Sequence, residues 1–330
     1  MSKSAVRQKK QNPWLKALGI ALAIIPLWWI YSRLDLSTML SMLPHVAWWL
    51  APALFLSVTL SMIMQGLRWW ILLRAFLPDL SLTRALSYHF MAVFYGTALP
   101  TSAAQDVIKT LFVARSNNHS VSWAALWLTR TIGLPGLALL SIFGFFNMNA
   151  MSLPRGWHYA LILFYVFITV LFLISFSKRI TRPIRLLIVK IVPPKIITPL
   201  ENIRESIYQY RNRKTSIGAS FFVTVTVQAF LVMTCVISIY GITGTFPLWQ
   251  CFTFIPIIEL ISVSFPFVPN GMGVREALSA GLFSYLNLSN EHLGIYVMFS
   301  LFFSLVPRVL GVPLIIHGYW KKRNLAASPS

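Results

Sequence analysis

Residues 266–276 read Pro-Phe-Val-Pro-Asn-Gly-Met-Gly-Val-Arg-Glu, and they interrupt an apolar region that spans residues 247–290. Proline lacks the backbone N–H donor and glycine weakens a helix, so helical hydrogen bonds cannot continue through this stretch. A second apolar region, residues 85–115, is interrupted in the same way at residues 98–102, which read Ala-Leu-Pro-Thr-Ser. We therefore predict two helical hairpins, each broken near its middle.

The composition indicates that these hairpins lie in a membrane. Of the 330 residues, 57% are hydrophobic and only 11% are charged, whereas a soluble domain carries about 25% charged residues. This excludes a soluble globular enzyme. The net charge of +20 could indicate a nucleic-acid partner, but an excess of Lys and Arg in cytoplasmic loops explains it better in so apolar a chain. We predict an integral membrane protein that binds no nucleic acid.

Apart from the hairpin regions, six stretches are apolar over the length of about 20 residues that a membrane-spanning helix needs. They are residues 14–32, 46–67, 122–146, 158–177, 216–240 and 292–317. Residues 178–214 are rich in Lys and Arg, which favours the cytoplasmic side of a bacterial or archaeal inner membrane for this loop and for both termini.

The charge distribution also predicts how the chain is threaded through the membrane. The second span is expected to end at the cytoplasmic face near Arg68, Arg74 and Arg84. The two hairpins then become re-entrant and enter the membrane from opposite sides. The predicted fold class is an all-α polytopic membrane protein with about six spanning helices and two re-entrant hairpins. Eight shorter, tilted transmembrane helices are the alternative.

Two short patterns recur in the same order along the chain. In each copy a broken hairpin is followed by an acidic residue and then by Arg-x-x-Gly-x-Pro. The first copy contains Pro100, Asp106 and residues 130–135, and the second contains Pro269, Glu276 and residues 308–313. Hairpins of opposite orientation make such copies an inverted repeat, which is common among transporters. We predict a single membrane domain over residues 1–330, with repeat A at 46–177, a basic loop at 178–214 and repeat B at 216–318.

The hairpins and the helices that follow them carry ionisable residues at membrane depth. These are Asp106, Lys109, Arg130, Glu259, Arg275, Glu276 and Arg308. A charge at the bilayer centre costs about 2.5–3.5 kcal/mol on insertion scales, so we expect these side chains to face a shared cavity. The arginines are predicted to bind an anionic headgroup, and the other four residues are predicted to balance charge or carry a coupling proton.

The alternative is that these charges form purely structural ion pairs. Asp106 with Lys109, and Glu276 with Arg308, would then lock the hairpins. Lys109 is also expected to reach the cytoplasmic headgroups. Arg275 and Glu276 are neighbours in sequence, so on a helix they should point in different directions and need separate partners.

Residues 270–273, Asn-Gly-Met-Gly, precede a half-helix that we predict to begin near Val274. Free N–H groups at a helix N-terminus suit a phosphate or carboxylate, and glycine allows close backbone approach. Asn270, Gly271 and Gly273 are therefore candidate substrate contacts, while Pro100 and Pro269 are structural breaks. Neither a metal site nor a cofactor is indicated by residue spacing, and no ATP-binding loop is present.

Several of these motifs resemble one family. They are Arg68-Trp-Trp-x-Leu-Leu73, Leu99-Pro100 with Asp106, Arg130-x-x-Gly133 and Pro269-Asn-Gly-Met-Gly-Val-Arg-Glu276. They are similar to the flippase-like transmembrane family typified by the membrane region of lysylphosphatidylglycerol synthase, the multiple peptide resistance factor. The resemblance covers about residues 15–320 and implies a multi-helix, lipid-translocating module. We expect the soluble synthase domain, and hence the synthase activity, to be absent.

Three functions follow from this reasoning. The first is a flippase that moves a phospholipid or lipid-linked substrate with an anionic headgroup through the charged cavity. The second is a membrane transferase acting on a phospholipid or polyprenyl-phosphate donor, with Asp106 or Glu276 as base. The third is a scaffold for a complex that modifies lipids or glycans. The expected partners are membrane lipids and enzymes of lipid or glycan synthesis.

Overall fold

The computed structural model describes residues 35–97, 104–114, 119–146, 194–263 and 273–317, with short stretches between residues 24 and 32 and between residues 159 and 170. Across these residues the chain is almost entirely helical and has no strand. The predicted all-α class is confirmed. Pro100, Pro269, Asn270 and Gly271 lie outside the described residues, as do most of the predicted spans 14–32 and 158–177.

The helices are numbered in chain order. They are α1 (Leu36–Met42), α2 (Leu50–Arg74), α3 (Leu82–Thr97), α4 (Ala104–Ala114), α5 (His119–Phe146), α6 (Pro194–Gln209), α7 (Lys214–Thr243), α8 (Leu248–Val263), α9 (Val274–Tyr285) and α10 (Asn290–Leu305). Short 3₁₀ turns follow α1 at Leu43–His45, α6 at Tyr210–Asn212 and α10 at Val306–Leu310.

Among the residues that the structure describes, four helical segments are long and apolar enough to cross a membrane. They are Leu50–Arg74, His119–Ile142, Lys214–Thr243 and Asn290–His317. Each coincides with a predicted span to within a few residues at most ends. Large apolar side chains such as Phe222 and Trp127 are exposed on their outer faces, as expected of helices surrounded by lipid. The protein is a multi-pass membrane protein.

The helix that contains the second span extends beyond the predicted span bound at residue 67. Helix α2 continues for almost two further turns to Arg74. Its last part is apolar and packed, because Trp69, Leu72 and Leu73 have no exposed surface. Arg68 therefore lies within a helix long enough to span the membrane rather than at the end of that helix.

Both broken regions consist of two helical arms that pack against each other. In the first, α3 contacts α4, and in the second, α8 contacts α9. The second arm of the second hairpin begins at Val274, as predicted. Gly273, which precedes it, has a φ of +81°, a conformation that glycine adopts without steric cost. The direction from which each hairpin enters the membrane stays a prediction.

The two halves of the chain cross in the middle of the molecule. Helix α2 packs against α7, and a hydrogen bond of 2.6 Å joins Ser57 Oγ to Thr234 Oγ1 across this contact. The first arm of each hairpin packs against the arginine-bearing segment of the other half. Thus α3 contacts Val306–Leu310, and α8 contacts α5.

Glycine permits the close approach at one of these crossings. A Cβ atom on Gly311 would lie 2.5 Å from the carbonyl oxygen of Phe90 in α3. No side chain fits at that distance, so glycine is required for α3 to approach the Arg308 segment this closely. Small residues serve the same purpose where helices cross in other membrane proteins.

The described end of the basic loop is anchored to the helix bundle. Helix α6 packs against α5, and the fully buried Tyr210 donates a hydrogen bond of 2.8 Å to the carbonyl oxygen of Leu72 in α2. This contact fixes the start of α7 relative to the end of α2. It thereby helps to define the cavity that lies between these helices.

Candidate functional site

A cavity of about 360 Å³ lies among α2, α3, α4, α5, α7, α8, α9, α10 and the turn Val306–Leu310. Ligand pockets in proteins generally span about 300–1,000 Å³, so this cavity can hold a small polar group. Its charged lining residues are Arg68, Arg130, Glu259, Arg275 and Arg308. The structure therefore brings together the three arginines that the sequence singled out, and it adds Arg68 to them.

On one side of the cavity, Asp106 holds two cations. It lies in the first turn of α4, and its carboxylate accepts a hydrogen bond of 2.7 Å from Arg130 Nε and a further bond from Arg130 Nη2. Its other oxygen lies 2.5 Å from Lys109 Nζ. The predicted Asp106–Lys109 pair is therefore present, and Arg130 completes it.

The expectation that Lys109 reaches the membrane headgroups is wrong. Its side chain is only 6% exposed. Lys109 follows Asp106 by three positions, so the two side chains share one face of α4. The ammonium group also lies 5.5 Å from the ring centre of Trp69 in α2, where a cation–π contact further favours the buried position.

In the second hairpin, Glu276 lies in the first turn of α9. It accepts a hydrogen bond of 2.6 Å from the backbone N–H of Gly273, and its other oxygen lies 3.1 Å from Arg275 Nη2. Arg275 Nη1 lies 3.9 Å from Glu259 Oε1 in α8. Arg275 is thus shared by two carboxylates.

The expectation that Arg275 and Glu276 need separate partners is wrong. Glu276 turns back to cap the N-terminus of α9, which brings its carboxylate beside the long side chain of Arg275. The N–H of Gly273, a predicted substrate contact, is occupied by this cap. Sequence neighbours can therefore pair where the acidic partner bends towards the end of its helix.

The predicted pair between Glu276 and Arg308 does not form. Arg308 Nε instead donates a hydrogen bond of 2.6 Å to the carbonyl oxygen of Ser304. In a 3₁₀ turn that carbonyl would accept from residue 307, but Pro307 has no N–H to offer. The side chain of Arg308 satisfies the carbonyl and is held at the cavity wall.

Arg68 is the functional candidate that the sequence reasoning missed. Its Nη1 lies 3.4 Å from Thr224 Oγ1 in α7, and it lines the cavity together with Ser61 and Gln65 from the same helix. These three polar residues are spaced by four and three positions, so they share one face of α2. That stripe of polar residues in an apolar helix was the available signal.

The charges around the cavity do not cancel. Four arginines and a single glutamate line it, while Asp106, Lys109 and Glu276 lie behind the wall and bind lining arginines or each other. Together they amount to five cations against three carboxylates. The cavity is therefore electrostatically suited to an anion.

Comparison with known families gives one match. The family model described as the lysylphosphatidylglycerol synthase transmembrane region matches residues 16–311. The matched region contains both hairpins and every charged residue that lines the cavity. No curated protein and no solved structure was found to match the chain.

Proposed function

Because the chain belongs to the lysylphosphatidylglycerol synthase transmembrane family, as its motifs predicted, we propose that it is a flippase for a lipid with an anionic headgroup. The family relates the chain to membrane lipids. The observation that carries the finer proposal is the cavity, in which four arginines converge from both halves of a membrane-embedded bundle.

The dimensions of the cavity support a headgroup as its occupant. About 360 Å³ is enough for a phosphate and a small attached group, but not for acyl chains. The cavity walls are helices whose outer faces carry exposed apolar residues. The headgroup would occupy the polar interior while the acyl chains remain in the surrounding lipid.

The ion pairs hold the arginines in position without using all of their donors. Arg130 contacts Asp106 through Nε and Nη2, which leaves the donors on Nη1 for a ligand. The Arg130 side chain is also 42% exposed. Arginine binds phosphate oxygens through planar, charge-assisted hydrogen bonds, so these residues suit a phosphate headgroup.

The crossed packing supports an inverted repeat around this cavity. The first arm of each hairpin packs on the arginine-bearing segment of the other half, while α2 and α7 pack together. A pseudo-two-fold relation of this kind allows one half to rock against the other and open the site to each side in turn. Translocation would use that motion.

The proposal is tested by the movement of a labelled anionic lipid between the leaflets of reconstituted vesicles. Arg130→Ala and Arg308→Ala should each abolish movement, because each removes a donor from the cavity. Arg74→Ala is the matched control, since Arg74 lies on α2 beyond the cavity and stacks on Trp70. Elution profile and helical content should be unchanged in all three variants.

Unchanged movement in both cavity variants would rule out the proposed role of the arginines. The transferase alternative predicts turnover of a phospholipid or polyprenyl-phosphate donor by the purified protein. The scaffold alternative predicts that neutralising the cavity charges leaves partner enzymes fully active. Measuring lipid movement and donor turnover in the same vesicles separates the first two functions.

A further inference from the structure

We propose that Arg68 and His89 form a second anion subsite in the cavity, so that the substrate headgroup carries two negative charges on phosphate oxygens. This inference rests on the proposed lipid-binding function and narrows its substrate class. Two features support it: buried polar atoms without hydrogen-bond partners at one wall of the cavity, and an excess of positive charge among the residues around the cavity.

The first observation is that polar atoms at this wall have no partner. Arg68 Nε and both ring nitrogens of His89 are buried without a hydrogen bond in the described structure. The backbone carbonyl of Met62 lies near enough to act on the His89 ring, but it can serve only one of the two ring nitrogens. Leaving such groups unsatisfied costs about 1–3 kcal/mol each. Both residues line the cavity, so a bound ligand can satisfy them.

The second observation is that both side chains are fixed in place. His89 is only 2% exposed, and its ring packs over Gly66, where an added Cβ would lie 3.3 Å from His89 Cδ2. Thr224 Oγ1 gives its own proton to the carbonyl of Ser220 at 2.7 Å, which leaves this oxygen to accept from Arg68. The wall is therefore organised before any ligand arrives.

The third observation is the charge balance. The cations are Arg68, Lys109, Arg130, Arg275 and Arg308, and the carboxylates are Asp106, Glu259 and Glu276. When all are ionised, two positive charges remain. Excess charge in a poorly solvated interior is costly. A headgroup with one negative charge leaves one of the two uncompensated, whereas a headgroup with two negative charges neutralises both.

Both excess charges lie in one group of residues. Arg68, Lys109 and Arg130 surround a single carboxylate, Asp106, and Arg68 interacts electrostatically with Asp106 and Arg130. Around the second hairpin, Glu259 and Glu276 match Arg275 and Arg308 in number. A headgroup with two negative charges is therefore best placed beside Arg68 and Arg130, where Arg68 and His89 contact it from α2 and α3.

The test is binding of lipids to the purified protein in nanodiscs, with the same acyl chains on each phospholipid. Phosphatidylglycerol carries one negative charge. Phosphatidic acid above pH 8 and cardiolipin carry two, and a polyprenyl diphosphate carries at least two, respectively on one phosphomonoester, on two phosphodiesters and on a diphosphate. We expect at least one of these three to bind about tenfold or more tightly than phosphatidylglycerol, as a charge-assisted hydrogen bond would give. The lipid that binds most tightly identifies which of the three chemistries is recognised.

Arg68→Gln should reduce that preference to about twofold or less. Arg74→Gln, on the same helix but outside the cavity, should leave the preference unchanged. Equal wild-type binding of all four lipids would overturn the inference without any variant. So would a full preference retained by Arg68→Gln. If phosphatidylglycerol moves between leaflets but lipids with two negative charges bind no more tightly, only the second subsite is refuted. If no lipid moves between leaflets, the proposed flippase function itself is refuted.

Discussion

Replacing Asp106 with asparagine tests whether this carboxylate holds the first hairpin together. The substitution preserves the size of the side chain and removes its charge. Asp106 is 8% exposed and contacts two cations, Lys109 at 2.5 Å and Arg130 through Nε at 2.7 Å. We expect Asp106→Asn to strand both cations in the protein interior and to lower the free energy of unfolding.

The magnitude follows from the exposure of the two cations. Removing one partner of a buried pair costs about 3–5 kcal/mol, because the other charge is left uncompensated. Arg130 is 42% exposed, so water screens part of its charge, whereas Lys109 is 6% exposed and is not screened. Lys109 therefore dominates the cost, and we expect a loss of about 3 kcal/mol, at the lower end of that range.

The assay is unfolding in mixed micelles, with the midpoint and slope of the transition measured for each variant. The double variant Asp106→Asn with Lys109→Met removes the stranded ammonium and should recover about 2 kcal/mol relative to Asp106→Asn alone, within the usual range of coupling energies. Asp35→Asn is the control. Asp35 is exposed and caps α1 through Ser37 and Thr38, a role that asparagine performs equally well.

Two results would refute this reasoning. One is an Asp106→Asn variant whose free energy of unfolding lies within about 1 kcal/mol of the wild-type value, since a stranded buried charge costs more than that. The other is a double variant whose loss equals the sum of the two single losses. Additivity would mean that Asp106 and Lys109 do not interact.

Three further predictions concern helix packing. Gly311→Ala places a Cβ against the backbone of α3 and should lower the free energy of unfolding by about 1–3 kcal/mol. In the control Gly218→Ala, the added Cβ meets no atom within 4 Å and should stabilise α7 by up to about 1 kcal/mol. Equal effects of the two variants in an unfolding titration would contradict the close crossing of α3 and the Arg308 segment. Tyr210→Phe loses a buried hydrogen bond to α2 and should cost about 0.5–1.5 kcal/mol, and no loss would mean that α6 is not anchored there. The sulfur atoms of Cys235 and Cys251 lie 3.7 Å apart, so oxidation with copper phenanthroline should form a disulfide between them within one chain. That disulfide should block maleimide labelling of both cysteines after denaturation. Two freely labelled thiols would contradict the packing of α7 on α8.

Much of the fold could be predicted from the sequence because hydropathy and helix breakers are local signals. The apolar runs located the spans in α2, α5, α7 and α10, and the glycines before Val274 correctly placed the start of α9. The family resemblance was also correct, because its motifs are contiguous in sequence. The predicted span bound at residue 67 fell short of the end of α2 because an arginine was taken as a boundary marker.

The pairing of the charged residues could not be predicted, because it depends on side-chain direction and on contacts between distant helices. Lys109 turned inward because Asp106 lies one turn away on the same face of α4. Arg275 met its neighbour Glu276 because the latter caps its own helix. The partner of Arg308 followed from the missing N–H of Pro307, a detail of a 3₁₀ turn that the apolar pattern does not reveal.

We propose that a lipid headgroup crosses the membrane through the arginine-lined cavity. The test uses a Gln228→Cys variant in which both native cysteines are replaced, as Cys235→Ser and Cys251→Ser. The rate of lipid movement in vesicles is measured before and after a thiol reagent with a large polar group modifies position 228. Gln228 lines the cavity, whereas Phe222, on the same helix, faces outward and is 73% exposed. Modification at position 228 should stop movement, and Phe222→Cys treated in the same way should retain it. Lipid movement that continues at the original rate after complete modification at position 228 would contradict the account.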